Sequence, residues 1–315
     1  MLRAPLNGSL THSIMKSACT SKCRPIVVLG AERSGTSVAA AVVHQWGAYA
    51  GEEAKIRKGD AENVHGYWEY TPIWDFLAEI GDFKTGASWW DDTFQERVTR
   101  KLGLPEYVRK ARELLGAMRA GNRPWVWKDP ALAFFLPFWK PLWGNPAYLV
   151  MVRNPYDTAR SWLKFVAGPD TVESPDFIAT NLLRWQFMML LILEHLEDAP
   201  AVIFVSYEEL VRHPEVECER IGAFLAESCD RADRKRRIHA MAAAIDPALW
   251  HNRSRVEFPQ IREATEAQKD LYRFLRLKVQ TPSVKFDAER YRMPSGWRGL
   301  VREQEALIRR QRHEE

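Results

Sequence analysis

The chain has 315 residues, 46% of them hydrophobic and 27% charged, with a formal net charge of +4. That length holds one large α/β domain or two small ones, and the composition excludes a fibrous or fully disordered chain. The charge is too mild to argue for nucleic acid by itself, but it suits a small polyanionic ligand.

Four cysteines, Cys19, Cys23, Cys218 and Cys229, form no C-x-x-C pair and have no accompanying His cluster. A zinc site is therefore not expected, and a reduced, cytoplasmic chain is the plain reading. No apolar run approaches the ~18 residues that span a bilayer. The longest, 187–193, reads as a buried helix segment. Residues 1–24 carry Arg3, Lys16, Lys22 and Arg24, no acid and no apolar h-region; this predicts a disordered tail rather than a secretory signal.

In chain order, Arg24-Pro25 opens an apolar strand over 26–29, a loop bounded by Gly30 and Gly35 follows, and a helix runs over about 36–46. Residues 47–95 read as irregular and rich in aromatics. Val108, Ala111, Leu115 and Met118 mark one face of a helix over about 106–120, ended by Gly121. The string PWVWKDPAL predicts a short strand ending at Lys128, and AYLVMVRNP a clearer one over 147–152. Asn154 is placed to cap the next helix, with Pro155 at its first position and Asp157 in its first turn. Ser174-Pro175 starts a helix over about 176–197; AVIFVSYEEL is a further strand and turn; Pro214 opens a helix through Leu225. The remainder is helical in pattern and rich in Arg and Lys. Strands alternating with helices predict an α/β fold of three layers, P-loop in type, with a central parallel sheet flanked by helices. The expected organisation is one domain over 25–290 and a basic C-terminal helix over 291–315.

The loop carries the first chemistry. In VVLGAERSGTSVAA, Gly30 and Gly35 bracket four residues and Ser37 stands at the hydroxyl position of G-x-x-x-x-G-K-[ST], but the lysine position holds Thr36. The amides of 33–37 are expected to converge on an anion at a helix N-terminus, with Arg33, Thr36 and Ser37 adding donors. A nucleotide kinase needs the missing lysine and a strand-end Asp for Mg²⁺. The nearest such residue, Asp129, lies between a lysine and a proline. The loop thus argues for a phosphate and against ordinary ATP chemistry.

A second anion site is expected from VMVRNPYDTARS. Arg153 ends a strand, where ligands of open parallel sheets bind, and Ser161 lies about two turns into the next helix.

With both motifs in view, the sequence resembles the sulfotransferase family, whose donor is 3′-phosphoadenosine-5′-phosphosulfate (PAPS). The resemblance covers roughly 25–230, is of the bacterial type through HGYWEY, and is similar to the tyrosylprotein sulfotransferases in VWKDPAL. It implies a 5′-phosphate role for Arg33, Ser34, Gly35, Thr36 and Ser37, and a 3′-phosphate role for Arg153 and Ser161. It implies that Lys128 faces the transferring group and supplies the missing charge. The base is left open among Glu53, favoured by its GEE context, Glu69 in the aromatic stretch, and His65, whose pKa suits the task. Asp129 reads as an anchor for Lys128 or the backbone. Trp68, Trp89 and Trp90 are expected to border the acceptor pocket, and the basic run 231–237 and Arg253–Arg255 to close over the nucleotide, with a solvated basic helix face as the alternative for these. The implied activity moves a sulfuryl group to a hydroxyl or amine of a small-molecule or carbohydrate acceptor, leaving adenosine 3′,5′-bisphosphate, with no metal, nucleic acid or membrane span involved. A P-loop kinase or NTPase with an atypical lysine, and a non-catalytic nucleotide-binding protein, are the alternatives.

Overall fold

A computed structural model describes residues 24–60, 63, 66–83, 88–119, 123–168, 171–226 and 231–314. The tail expected over 1–24 therefore lies outside the described residues except for Arg24, and so do His65 and Gly121.

Strands β1 (Pro25–Leu29), β2 (Trp125–Lys128), β3 (Ala147–Val152) and β4 (Val202–Ser206) form a parallel sheet in the order β2-β1-β3-β4. Register pairs Val28 with Lys128 and Leu149, and Val150 with Phe204. The chain goes from β1 to one side for β2, then crosses back for β3. The carboxyl ends of β1 and β3 are thus the switch point of the sheet, where α/β folds bind ligands.

Alternation along the strands splits the core in two. Ile26, Val28, Leu149, Met151 and Val205 face one layer, with Ala39, Ala40, Val42 and Val43 of α1 (Thr36–Gln45). Val27, Leu29, Tyr148, Val150 and Phe204 face the other. Both faces are dry, so the strands read as continuous apolar runs. Each fully buried Val or Leu contributes about 1.5–3 kcal/mol relative to exposure.

Two helices depart from the sequence expectation. The stretch read as irregular contains α2 (Thr71–Ile80), and α3 (Phe94–Lys101) starts within it. Ile73, Phe76, Leu77 and Ile80 of α2 are buried at helical spacing, a signal hidden by the surrounding tryptophans. Helix α4 (Pro105–Arg119) follows as expected, and α5 (Leu132–Trp143) then forms despite Pro137 and Pro141. Its Leu132, Phe134, Phe135, Phe138 and Trp139 are all buried, and that burial outweighs the cost of proline in a helix.

Helix α6 (Pro155–Ala167) is capped by Asn154, whose side chain accepts from the Tyr156 amide. Helix α7 (Pro175–Leu196) is apolar enough and long enough to cross a membrane, but 67% of its apolar window is buried against the rest of the protein, as in a core helix. Helices α8 (Tyr207–Arg212), α9 (Pro214–Leu225) and α10 (Arg231–Ala243) return to the α1 side. Helix α11 (Glu266–Gln280) covers the other face of β3 and β4. Helix α12 (Trp297–Glu314) closes the chain and buries Trp297 and Val301 in the same core as α7.

Candidate active site

Every strand ends at one cavity of about 630 Å³. It takes Arg33 after β1, Lys128 and Asp129 at the end of β2, Arg153 after β3 and Tyr207 after β4.

The loop after β1 makes a tight turn into α1. Arg33 has φ 63 and Gly35 φ 91, so left-handed residues punctuate the turn and aim successive amides inward. Gly35 is obligatory: a Cβ there would lie 2.3 Å from the Tyr207 ring. Helix α1 has no side-chain cap and no acid in its first turn. Its positive end and first amides therefore carry no side-chain partner from a cap or a first-turn acid. Thr36 and Ser37 line the cavity. Ser34 does not: its amide and its hydroxyl both donate to Ala31 O, the latter at 2.6 Å, and it is buried. Ser34 holds the loop rather than facing the cavity.

Arg153 is 6% exposed. It donates to Arg33 O at 2.8 Å and to Asn252 O at 2.9 Å, while its Nε is buried without a partner among the described residues. Such an orphan donor costs free energy unless a ligand meets it. Arg33 Nε donates to Ser161 Oγ at 3.1 Å, so the loop after β1 and helix α6 touch directly. Asn252 and His251 line the cavity, and Ser254 N donates to Asp157. The segment expected to close over the nucleotide is thus tied to both α6 and Arg153, through Ser254 and Asn252. Burial raises the Asp157 pKa against the opposing pull of Arg153.

At the other end Lys128, 2% exposed, donates to Glu69 Oε1 at 2.8 Å, and Arg57 donates to Glu69 Oε2 at 3.0 Å. Asp129 accepts from the Ala131 amide, which supports the anchoring reading. Burial and the Glu69 carboxylate push its pKa up to about 7, against Lys128 and that amide. Glu53 stands exposed on a short turn of helix, Glu53–Lys55, and does not line the cavity. Of the two base candidates among the described residues, Glu53 and Glu69, the one brought to Lys128 is therefore Glu69.

Trp68 and Trp89 line the cavity with Trp74. Trp90 does not: it is 1% exposed, packed edge-on to Phe134, and its indole donates to Glu305. Arg57, Trp74, Tyr207 and Asn252 were not singled out from the sequence, because no local pattern separates them from ordinary loop residues. Among the described residues, no three or more His, Cys, Asp or Glu side chains converge as a metal site.

The model of the sulfotransferase family matches residues 25–231. The chain belongs to the sulfotransferase family. Solved structures similar to this sulfotransferase include the sulfotransferase domain of the Synechococcus PCC 7002 olefin synthase, at 16% identity over 90% of this chain and 95% of that one, TM-score 0.41. Sulfotransferase STF9 from Mycobacterium avium is similar at 14% identity over 85% and 81%, TM-score 0.46. Retinol dehydratase, solved with androsterone and inactive cofactor PAP, is similar at 13% over 86% and 83%, TM-score 0.32. No curated protein matches the chain.

Proposed function

We propose that the protein transfers a sulfuryl group from PAPS to a hydroxyl of a small-molecule or carbohydrate acceptor. The observation that carries this reading is the Lys128–Glu69 pair, set in the same cavity as the loop after β1 and the Arg153–Ser161 site.

The residues present fit the donor. The uncapped start of α1, with Thr36 and Ser37, suits the 5′-phosphate. The orphaned Arg153 Nε and the Ser161 hydroxyl suit the 3′-phosphate, and Arg33 lies beside both motifs. When bound, the donor supplies an activated sulfuryl group on a phosphate leaving group.

The chain's own residues then have separable tasks. Lys128, fixed at the end of β2, neutralises charge that builds on a leaving phosphate. Glu69 receives the acceptor's proton. Asp129 fixes the turn that carries Lys128. Trp68, Trp74 and Trp89 offer flat faces to an acceptor ring. A cytoplasmic setting is part of the proposal; Cys218, the described free thiol, is buried and inert.

The test is thermal stabilisation by adenosine 3′,5′-bisphosphate without Mg²⁺, set against ATP with Mg²⁺, followed by a screen of acceptor pools with labelled PAPS. A shift with ATP and Mg²⁺ alone would favour a kinase. Binding without transfer to any pool, and no effect of Glu69→Gln on trace activity, would favour a non-catalytic protein.

A further inference from the structure

Arg184 lies on α7, away from both phosphate motifs in sequence, and is 4% exposed. Its guanidinium makes two ion pairs at once. Nη2 donates to Glu32 Oε2 at 2.9 Å and Nη1 to Glu305 Oε1 at 2.9 Å. Glu32 belongs to the loop after β1 and precedes Arg33; Glu305 belongs to α12. The same guanidinium packs against the ring of Trp162, 4.5 Å away, and that of Trp90, 4.8 Å away. Trp162 is the neighbour of Ser161 and lines the cavity. Trp90 donates to the same Glu305 oxygen at 2.6 Å.

We propose that Arg184 and Glu305 are positioning residues, through which the C-terminal helix sets the conformation of the phosphate loop. Helix α12 lies wholly outside residues 25–231, the segment common to the family. Its Glu305 reaches the loop through Arg184. The physical reason is charge balance. A buried guanidinium needs its carboxylates, and a part-buried Glu32 needs a cation. Glu305 orients Arg184, Arg184 holds Glu32, and Glu32 fixes the turn in which Arg33 keeps its left-handed backbone. The Arg33 carbonyl in that turn receives Arg153, so the link continues into the second phosphate motif. Trp162 gives a parallel route, since Arg184 stacks on the residue next to Ser161. The inference concerns the loop itself and does not require the ligand to be PAPS.

The experiment is hydrogen exchange on the full chain without nucleotide, comparing wild type with Glu305→Gln. Peptides over 30–38 are expected to exchange about threefold faster or more in the variant, with 147–152 unchanged. Faster exchange confined to 88–94 and 297–314 would overturn the proposal and leave Glu305 a local anchor. If Glu305→Gln lacks a cooperative melt, Glu32→Gln tests the link from the loop side. Faster exchange is then expected over 297–314, and its absence overturns the proposal equally. A second readout is calorimetry with adenosine 3′,5′-bisphosphate, where Glu305→Gln is expected to weaken binding about tenfold, equivalent to about 1.4 kcal/mol. Wild-type protein that fails to bind this nucleotide would sink the assigned donor, while the exchange result would still decide the role of Glu305.

Discussion

Lys128 and Glu69 stand 59 residues apart in sequence and meet at 2.8 Å in a nearly dry part of the cavity. Neither side chain belongs there without the other. A lone ammonium or carboxylate at such burial is costly, and the pair is kept at the mouth of β2 where it can act.

Lys128→Ala is therefore expected to lower the rate of sulfuryl transfer by about 10²–10³, and Glu69→Gln by about 10²–10⁴. Glu69→Gln also leaves the buried Lys128 ammonium without this carboxylate, at a cost of about 3–5 kcal/mol in stability, whereas Lys128→Ala costs less because Glu69 keeps Arg57. Removing both is expected to destabilise less than the sum of the two. Steady-state kinetics and denaturant melts on the three variants check this, and additive losses in stability would contradict the pairing.

Ser161→Ala isolates the second phosphate motif. Loss of one donor to an anion, about 1.5–3 kcal/mol, is expected to weaken adenosine 3′,5′-bisphosphate by about tenfold to a hundredfold. Adenosine 5′-monophosphate, which lacks the 3′-phosphate, should bind the variant as it binds wild type. Calorimetry with both nucleotides makes the comparison; an equal loss for both would remove Ser161 from the 3′ end.

Gly35→Ala addresses the loop. Its Cβ would overlap the Tyr207 ring and occupy φ 91. The loop must shift, and nucleotide binding is expected to vanish in thermal-shift assays while far-ultraviolet circular dichroism stays native. Retained binding would mean that the amides at the start of α1 do not face the ligand.

Much of this was legible in the sequence. Strand ends at Lys128 and Val152, the Asn154 cap and the glycine-bounded loop follow from local rules of apolar runs and turn chemistry. Helix α2 is hidden because Trp74 interrupts the contrast between its apolar and polar faces and tryptophans crowd the sequence around it. Glu53 is favoured over Glu69 by the sequence because its GEE context resembles the family's segment, a local string that says nothing of where the side chain ends up. Only the fold over 51–70, where the Arg57 amide donates to Glu69 O, turns one toward Lys128 and leaves the other in solvent. Trp90 looked like its neighbour Trp89, yet packing against Phe134 and the bond to Glu305 remove it from the cavity. Contacts of that kind join distant segments, and no local pattern announces them.

Asp129 gives a pH signature. Its pKa rises from 3.8 to about 7 on folding. The folded state then holds more protons than the unfolded chain between these values, so this contribution to stability is complete below about pH 4 and is lost as pH rises toward 7. Asp129→Asn is expected to remove that slope. Melting temperatures of both proteins from pH 4 to 8 check it: the variant should gain on wild type as pH rises and hold a constant lead above 7. A gap independent of pH would place the Asp129 titration elsewhere.

The most direct measurement is titration calorimetry of the wild-type protein with adenosine 3′,5′-bisphosphate in a buffer free of divalent ions. The account predicts one site of saturable binding that disappears in Arg153→Ala. Silence with this nucleotide, together with binding of ATP once Mg²⁺ is added, would contradict it.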